Sequence, residues 1–314
     1  MIVSFNTINI PERARQSFGC QIAILFATML CLSWTDLSHS RAEDQVTSQS
    51  DPRLQKLYEA DAKRWEMWIG PDQKRKAEIV VEPVFRWQNP SRANGQTGAM
   101  FVWVDQGRPV VIGGVFSNPA GNNRRDVMHE FHALGPDRLF PNFKDSESKW
   151  LPGAGVTLLP LPMSPKVEET FSKRTLQLRA ISRDFTANST DNEKQRWELR
   201  LLPKPLYRYD KPEGNVIDGA LLAFVSDAGT DPEIILVLEA RKEEGGVTAW
   251  YYRTVRLSIS DLYVNFKGER VWTSLREDPN GQFGNKDNTY GLIRDRAIDE
   301  LPPVGAVPKE IPKK

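Results

Sequence analysis

One pattern occurs twice in this sequence, and it limits the possible folds more than any other feature. Residues 83–90 read Pro-Val-Phe-Arg-Trp-Gln-Asn-Pro, and they precede an apolar run that starts at Gly98-Ala99 and ends at an Asp/Gly turn. Residues 205–212 read Pro-Leu-Tyr-Arg-Tyr-Asp-Lys-Pro, and they precede a matching run from Gly219-Ala220. Each copy follows a segment whose apolar residues recur at helical spacing. This repeated order predicts an internal duplication.

The two helical segments carry recognisable start and stop signals. The first covers residues 52–69: Asp51 is a good N-cap, Pro52 suits the first helical position, and Gly70-Pro71 ends the helix. The second is predicted from Ser164-Pro165 to about residue 185. After each helix, short runs rich in Val, Ile and aromatic residues lie between Gly, Pro and Asp turns. They predict about four antiparallel strands in each copy.

The predicted fold class is therefore α+β, with two tandem helix-plus-antiparallel-sheet units related by internal duplication. The first unit is assigned to residues 43–160 and the second to residues 161–275. Residues 276–314 are predicted to be irregular, and the proline-rich tail from Leu301 to be disordered. The alternative is that the two copies look alike only because hairpins share generic turn residues. The sequence leaves open whether the two units share one core.

The N-terminal region has the composition of an export signal. Basic residues precede the apolar run 21–34, and Ser40-Arg41-Ala42 precedes an acidic start at Glu43. This order predicts a secretory signal peptide over residues 1–42 and a soluble protein that is periplasmic or secreted. The alternative is an anchor that stays attached. Cys20 and Cys31 both fall in this segment, so the processed chain is expected to have no disulfide and no cysteine metal site.

Charge restricts the partners that we expect. The chain has 42 Lys and Arg and 41 Asp and Glu residues, and its basic residues are scattered rather than clustered. A nucleic-acid partner is therefore not expected. No membrane span is expected after signal cleavage either, because no later segment comes close to the apolar length that a span needs. The expected partner is an unknown small molecule or protein, and no motif identifies a cofactor.

The most reactive combination of side chains is His129-Glu130-Phe131-His132. On a strand, His129 and Phe131 would share one face while Glu130 and His132 shared the other; on a helix, the two histidines would share a face. His129, Glu130 and His132 are candidate catalytic residues. The alternative is a strand with polar residues around a core Phe131. No metal site is predicted, because no third ligand can be identified from the sequence.

Arg86 and Arg208 are candidate ligand-binding residues, because they hold matching places between aromatic residues in the two copies. If the two copies bring the guanidinium groups together, they can clamp a carboxylate or a phosphate. The alternative is that each arginine lies over its own sheet and pairs with a neighbouring acid.

Several short stretches, spread over most of the chain after residue 42, match a pattern found in other proteins. They are Arg86-Trp87, Gly98-Ala99, residues 129–132, residues 151–156, residues 196–203 and Asp218-Gly219-Ala220. Together they resemble a group of exported, uncharacterised proteins of planctomycete-type bacteria. The resemblance implies an extracytoplasmic bacterial protein, and it brings no known activity, cofactor or catalytic residue.

Three hypotheses about function follow from these features. The first is an exported, non-catalytic binding or structural protein. The second is a hydrolase-type or metal-dependent extracytoplasmic enzyme that uses the cluster of His129, Glu130 and His132. The third is a carrier for an apolar molecule, which requires a cavity between the sheets lined by aromatic residues of the strands.

Overall fold

The computed structural model describes residues 51–89, 95–146, 150–153, 155–227, 229–276 and 289–300. The predicted signal peptide, with its two cysteines, and the proline-rich tail lie outside these residues. The first part of the described chain contains one helix and eight strands: α1 (Pro52–Arg64), β1 (Trp65–Ile69), β2 (Arg75–Ile79), β3 (Phe85–Asn89), β4 (Gln96–Asp105), β5 (Arg108–Gly121), β6 (Arg124–Ala133), β7 (Leu139–Phe143) and β8 (Leu159–Pro160).

The second part has the same order of elements as α1 and β1–β6, followed by three further strands. Its elements are α2 (Phe171–Arg183), β9 (Phe185–Thr190), β10 (Arg196–Leu201), β11 (Tyr207–Arg208), β12 (Val216–Ser226), β13 (Pro232–Lys242), a 3₁₀ turn (Glu244–Gly246), β14 (Thr248–Arg256), β15 (Asp261–Phe266), β16 (Glu269–Ser274) and β17 (Tyr290–Asp299).

Both helices are shorter than the sequence predicts. Helix α1 begins as expected, with Asp51 accepting a hydrogen bond from the backbone of Arg53, but it ends at Arg64. Residues 65–69 instead form β1, whose side chains alternate between buried and partly buried and which pairs with both β2 and β7. Pairing of β1 on both edges makes a strand more favourable here than a continued helix α1.

Helix α2 begins after Thr170, whose hydroxyl accepts a hydrogen bond from the backbone of Lys173.

The strands form two curled antiparallel sheets. The first has the order β17-β6-β5-β4-β2-β1-β7, with β3 paired to β4. The second has the order β16-β15-β9-β10-β12-β13-β14-β8, with β11 paired to β12. Within these orders, β6-β5-β4-β2-β1 corresponds to β14-β13-β12-β10-β9.

The predicted α+β class is wrong. Strands account for 54% of the described residues, which contain only two α-helices. In strands such as β13, all residues from Pro232 to Ala240 are buried, so both faces of the sheet pack against other layers. One short helix covers one face of each sheet, and the other sheet covers the opposite face. The protein is mainly antiparallel β.

The predicted irregular C-terminal segment also contains regular structure. Residues 290–299 form β17, which pairs with β6 and so belongs to the first sheet. Conversely, β8 lies within the predicted first unit but pairs with β14 of the second sheet. The two sheets are therefore not built from contiguous halves of the chain.

The repeated sequence stretches hold matching places in the two sheets. Arg86 pairs with Ala99, and Arg208 pairs with Ala220, each on the short strand beside a long central strand. Trp87 and Tyr209 lie against Gly98 and Gly219, where an added Cβ would be within 2.7 Å of the aromatic ring in both cases. A common origin of the two parts remains a prediction.

Three groups of buried apolar residues fill the spaces between these layers. One lies between α1 and the first sheet, one between the two sheets, and one between the second sheet and α2. Strand alternation supplies them: Ala99, Phe101 and Trp103 face α1, whereas Met100 and Val102 face the other sheet. The order of layers is helix, sheet, sheet, helix. No helix among the described residues is long and apolar enough to cross a membrane.

A buried ion pair joins the two sheets. The guanidinium of Arg108 on β5 donates to the carboxylate of Glu239 on β13 at 2.9 Å, and the Tyr209 hydroxyl donates to the same carboxylate at 3.1 Å. Glu239 is completely buried, and Arg241 provides a second positive charge beside it. Because this carboxylate is fully paired, it fixes how the two sheets lie against each other without leaving a charge unsatisfied.

Candidate functional site

The predicted catalytic cluster lies on a strand, and the strand separates its members. Residues 129–132 belong to β6, so side chains alternate between the two faces of the first sheet. His129 and Phe131 face α1, and Phe131 belongs to the apolar core there. Glu130 lines a cleft between the two sheets, and His132 lines a smaller pocket of about 160 Å³.

His129 is completely buried beside α1. Its Nδ1 accepts a hydrogen bond from the indole nitrogen of Trp65 at 3.2 Å, and its Nε2 lies 3.6 Å from Oδ2 of Asp61. Because an indole N–H can only donate, Nδ1 carries no proton, and the neutral imidazole carries its proton on Nε2. The imidazole is therefore held with its N–H towards the Asp61 carboxylate.

The Asp61 carboxylate is also paired with Arg296 of β17, at 2.8 Å. Burial alone raises the pKa of Asp61, but the neighbouring His129 imidazole and Arg296 guanidinium outweigh it, and the pKa is lowered. Arg296 also contacts the carboxylate of Asp295. The result is a charged cluster that joins α1, β6 and β17.

Asp61, His129 and Asp295 place one potential ligand atom each within 4.8 Å of one another. They fit a metal ion poorly. The Arg296 guanidinium already contacts both carboxylates, and an imidazole that binds metal through Nε2 needs its proton on Nδ1, where the Trp65 N–H donates. This cluster stabilises the attachment of β17 and is not assigned a metal.

Glu130 faces the opposite side of the sheet and is partly buried. Its Oε1 accepts a hydrogen bond from the Tyr290 hydroxyl of β17. Burial raises the pKa of Glu130 to about 7; the carboxylates of Asp231 and Glu233 act in the same direction, while Tyr290 and Arg256 oppose it. Glu130 therefore exchanges its proton near neutral pH.

His132 has its own, separate partners. Its Nδ1 lies 2.8 Å from the backbone oxygen of Ala133, and its Nε2 lies 3.2 Å from the Thr289 hydroxyl. Burial, together with the positive charges of Arg256 and Arg253, lowers the pKa of His132 to about 4. This imidazole is neutral at neutral pH. Within the described chain, no hydrogen bond or ion pair joins His129, Glu130 and His132 to one another.

The two candidate arginines do not form a clamp. Arg86 reaches towards α1 and pairs with Glu59 at 3.0 Å. Arg208 pairs with the buried Asp218 through two hydrogen bonds and lies over the Phe171 ring of α2, 4.7 Å from its centroid. Each arginine faces the helix of its own sheet and is neutralised by a neighbouring acid. These are the contacts expected if each arginine lies over its own sheet and pairs with a neighbouring acid.

A cleft with a volume of about 610 Å³ lies between the two sheets. Its first wall comes from β3, β4, β5, β6 and β17. Its second wall comes from the β9–β10 hairpin, the start of β13 and the chain after β14. The lining residues are Trp87, Asn89, Gln96, Met100, Phe116, Asn118, Met128, Glu130, Asp191, Asn192, Glu193, Gln195, Trp197, Asp231, Pro232, Leu257, Ser258, Ile259, Ser260 and Leu292.

Of the residues that sequence analysis singled out as site candidates, only Glu130 lines this cleft. The amides of Asn89, Gln96 and Asn118 were missed. The available signal was weak, because polar residues near strand ends are common in turns that bind nothing. Trp87 was not among the predicted site residues. The strand register turns it away from Arg86 and towards the cleft.

Comparison of the chain with protein-family models, with curated proteins and with solved structures finds no match. The geometry of the cleft and of the clusters beside it is what indicates a function for this chain.

Proposed function

We propose that this chain is an exported, non-catalytic binding protein whose ligand occupies the cleft between the two sheets. The observation that supports this most is the cleft itself. Its volume of about 610 Å³ lies in the range of small-molecule sites, roughly 300–1,000 Å³. Its lining combines aromatic and aliphatic side chains with a limited set of polar ones, as such sites require.

The enzyme alternative has less geometric support. It needs a nucleophile and a base, or a set of metal ligands, that converge on one space. His129 points into the core beside α1 and His132 into a separate pocket, so neither can act with Glu130 on a ligand in the cleft. The described lining of the cleft contains no His, Cys or Lys residue.

Export remains part of the proposal on sequence grounds. Residues 1–42 have the order of basic, apolar and small residues that signal peptides have. The resemblance to exported planctomycete-type proteins points the same way. Protein that has passed through a bacterial export pathway would begin near Glu43, which N-terminal sequencing of the exported chain tests directly.

The binding proposal can be tested with Prodan, a neutral dye whose emission shifts to the blue in an apolar site. We expect saturable binding at one site. Met128→Trp, which fills the cleft from β6, is expected to weaken binding at least tenfold. Leu176→Trp is the matched control, because Leu176 is exposed on α2, away from the cleft.

Circular dichroism checks that each variant folds, and Leu292→Trp on β17 is a second cleft-filling variant if Met128→Trp does not. Equal dye binding by the folded cleft-filling variants and the Leu176→Trp control would contradict the proposal. Absence of saturable dye binding to the unmodified chain would contradict it as well.

A further inference from the structure

The charged residues in the described lining of the cleft are all acidic. They are Glu130 on β6, Asp191 and Glu193 on the β9–β10 hairpin, and Asp231 before β13. The described lining contains no Lys, Arg or His. A concave space with walls of one sign concentrates the field of those charges, so it attracts ligands of the opposite sign.

Uncharged groups in the lining also favour a hydrogen-bond donor. Asn89 is 2% exposed, and its amide nitrogen donates to Gln96 at 3.0 Å, but its side-chain oxygen has no hydrogen-bond partner. The side-chain oxygen of Asn118 is also buried and has none. These amide oxygens add uncharged acceptors to an acidic lining.

Aromatic side chains stand on both walls. Trp87 and Phe116 lie together on the first sheet with ring centroids 5.6 Å apart, and Trp197 lies on the opposite hairpin. Aromatic rings bury apolar surface and also attract a cation that lies over their faces. The combination of rings and acceptors differs from that of an apolar carrier, whose walls would be apolar throughout.

We propose that the ligand of this cleft is an organic cation: a primary amine attached to a flat apolar body. The inference rests on the binding function proposed above and names the ligand class for the same site. The ammonium group would lie beside Glu130, and the apolar body would lie against Trp87, Phe116 and Met128 in the neighbouring row of paired residues.

One buried positive charge lies close to the cleft, and it does not alter this assignment. Arg256 is 5% exposed, and its guanidinium donates to the backbone oxygens of Ser258, Ser260 and Leu275. These bonds hold the guanidinium in the wall behind Ser258 and Ser260, and Arg256 itself is not among the lining residues.

The protonation of Glu130 makes the proposal sensitive to pH. The groups that face Glu130 are Tyr290 on β17, Asp231 and Glu233 at β13, and Arg256 on β14. Because the pKa of Glu130 is raised to about 7, its carboxylate becomes fully charged only above that pH. An amine that stays protonated is therefore expected to bind more tightly at pH 8 than at pH 6.

Three probes with the same phenylbutyl body separate charge from apolar contact: 4-phenylbutylamine, 4-phenylbutanol and 4-phenylbutyrate. Isothermal titration calorimetry at pH 8 is expected to rank the amine at least tenfold tighter than the alcohol, and the carboxylate weakest. Glu130→Gln is expected to reduce the preference for amine over alcohol about fivefold and to remove the pH dependence. Glu198→Gln is the matched control, because Glu198 is an exposed acid on the β9–β10 hairpin that forms the second wall, and it lies outside the lining.

The outcomes separate the two proposals. If the three probes bind equally, or the carboxylate binds tightest, the cation assignment is wrong while the binding function stands. If none of the probes binds, the cation assignment is also wrong, and the dye experiment decides the binding function alone. If Glu198→Gln changes the preference as much as Glu130→Gln, the effect is one of overall charge and the site assignment fails.

Discussion

The cores beside the two helices occupy corresponding places in the two sheets, yet they differ in chemistry. Trp65 begins β1 and Phe185 begins β9, and four residues before these positions lie Asp61 and Ile181. Both side chains are buried against their own sheet. In the first core the position holds a carboxylate, and in the second it holds an aliphatic group.

The same difference appears across the sheets. Ala99 pairs with Val115, which pairs with His129; the corresponding residues Ala220 and Leu238 lead to Tyr252. The second core therefore has Ile181 and Tyr252 where the first has Asp61 and His129. A curled sheet around a short helix does not require charge in its centre.

The charged pair in the first core has a different role. It binds Arg296, and so it attaches β17, a strand that lies more than 150 residues from β6 in sequence. In the second sheet the strand beside β14 is the two-residue β8. Buried charges cost free energy, and here they specify which distant strand completes the sheet.

The largest effect on stability is expected when a carboxylate is introduced into the core beside α2, which has no partner for it. Ile181→Asp would bury a carboxylate at a position occupied by an aliphatic side chain, with an expected loss of more than about 4 kcal/mol in the free energy of unfolding. Urea denaturation followed by circular dichroism measures it. Leu176→Asp on the exposed side of α2 is the control, with an expected change within about 0.5 kcal/mol. Equal losses for the two variants would mean that the two cores do not differ as described.

Removing the charge from the first core is expected to have a smaller effect. Asp61→Ala leaves His129 buried and Arg296 without its carboxylate, with an expected loss of about 3 kcal/mol, the low end for broken buried pairs because Arg296 is partly exposed. Hydrogen exchange should show faster exchange of the β17 amides in particular. Lys63→Ala, at an exposed position of α1, is the control. A loss of stability with unchanged β17 protection would show that the cluster does not hold that strand.

The smallest effect concerns pH. Glu130 on β6 and Arg253 on β14 hold corresponding positions in the two sheets. The corresponding rows of paired residues are Met100–Gly114–Glu130 and Leu221–Val237–Arg253. The folded chain raises the pKa of Glu130 to about 7, so this carboxyl stabilises the fold fully below its ordinary value of 4.5 and loses that contribution as pH rises through about 7.

We therefore expect the stability of the unmodified chain relative to Glu130→Gln to fall by about 1 kcal/mol between pH 6 and pH 8. Denaturant midpoints at both pH values give the difference. His132 is present in both chains, so its own titration cancels. Arg253→Gln is the control, with no change in relative stability over this range. If the difference in stability between the unmodified chain and Glu130→Gln is the same at pH 6 and pH 8, the carboxyl is already charged at pH 6.

Local signals in the sequence located several elements correctly. The cap at Asp51 marks the start of α1, and the Gly-Ala starts at residues 98 and 219 lie in the long central strands β4 and β12. The helix end was misjudged, because Trp65 and Trp68 fit helical spacing while residues 65–69 also fit strand alternation. Short apolar segments are ambiguous between the two periods, and pairing with β2 and β7 decides for the strand.

The candidate site was less accessible from the sequence. The cluster at residues 129–132 is close in sequence, but strand alternation sends its side chains to opposite faces of the sheet. The cleft is built from segments as distant as Trp87 and Leu292, and its walls come from two sheets. No local pattern encodes the space between two sheets, since that space depends on how their side chains and the Arg108–Glu239 pair fit together.

By itself, the sequence determined where α1 begins and that the Gly-Ala runs at residues 98 and 219 form long strands, because caps, turn residues and apolar periodicity act over a few residues. The tertiary structure decided that strands dominate the fold, that β17 returns to the first sheet, and that Glu130 lines a cleft while His129 lies in a core. These outcomes depend on pairing and burial between residues far apart in the chain, and such contacts leave no signature in any short stretch of sequence.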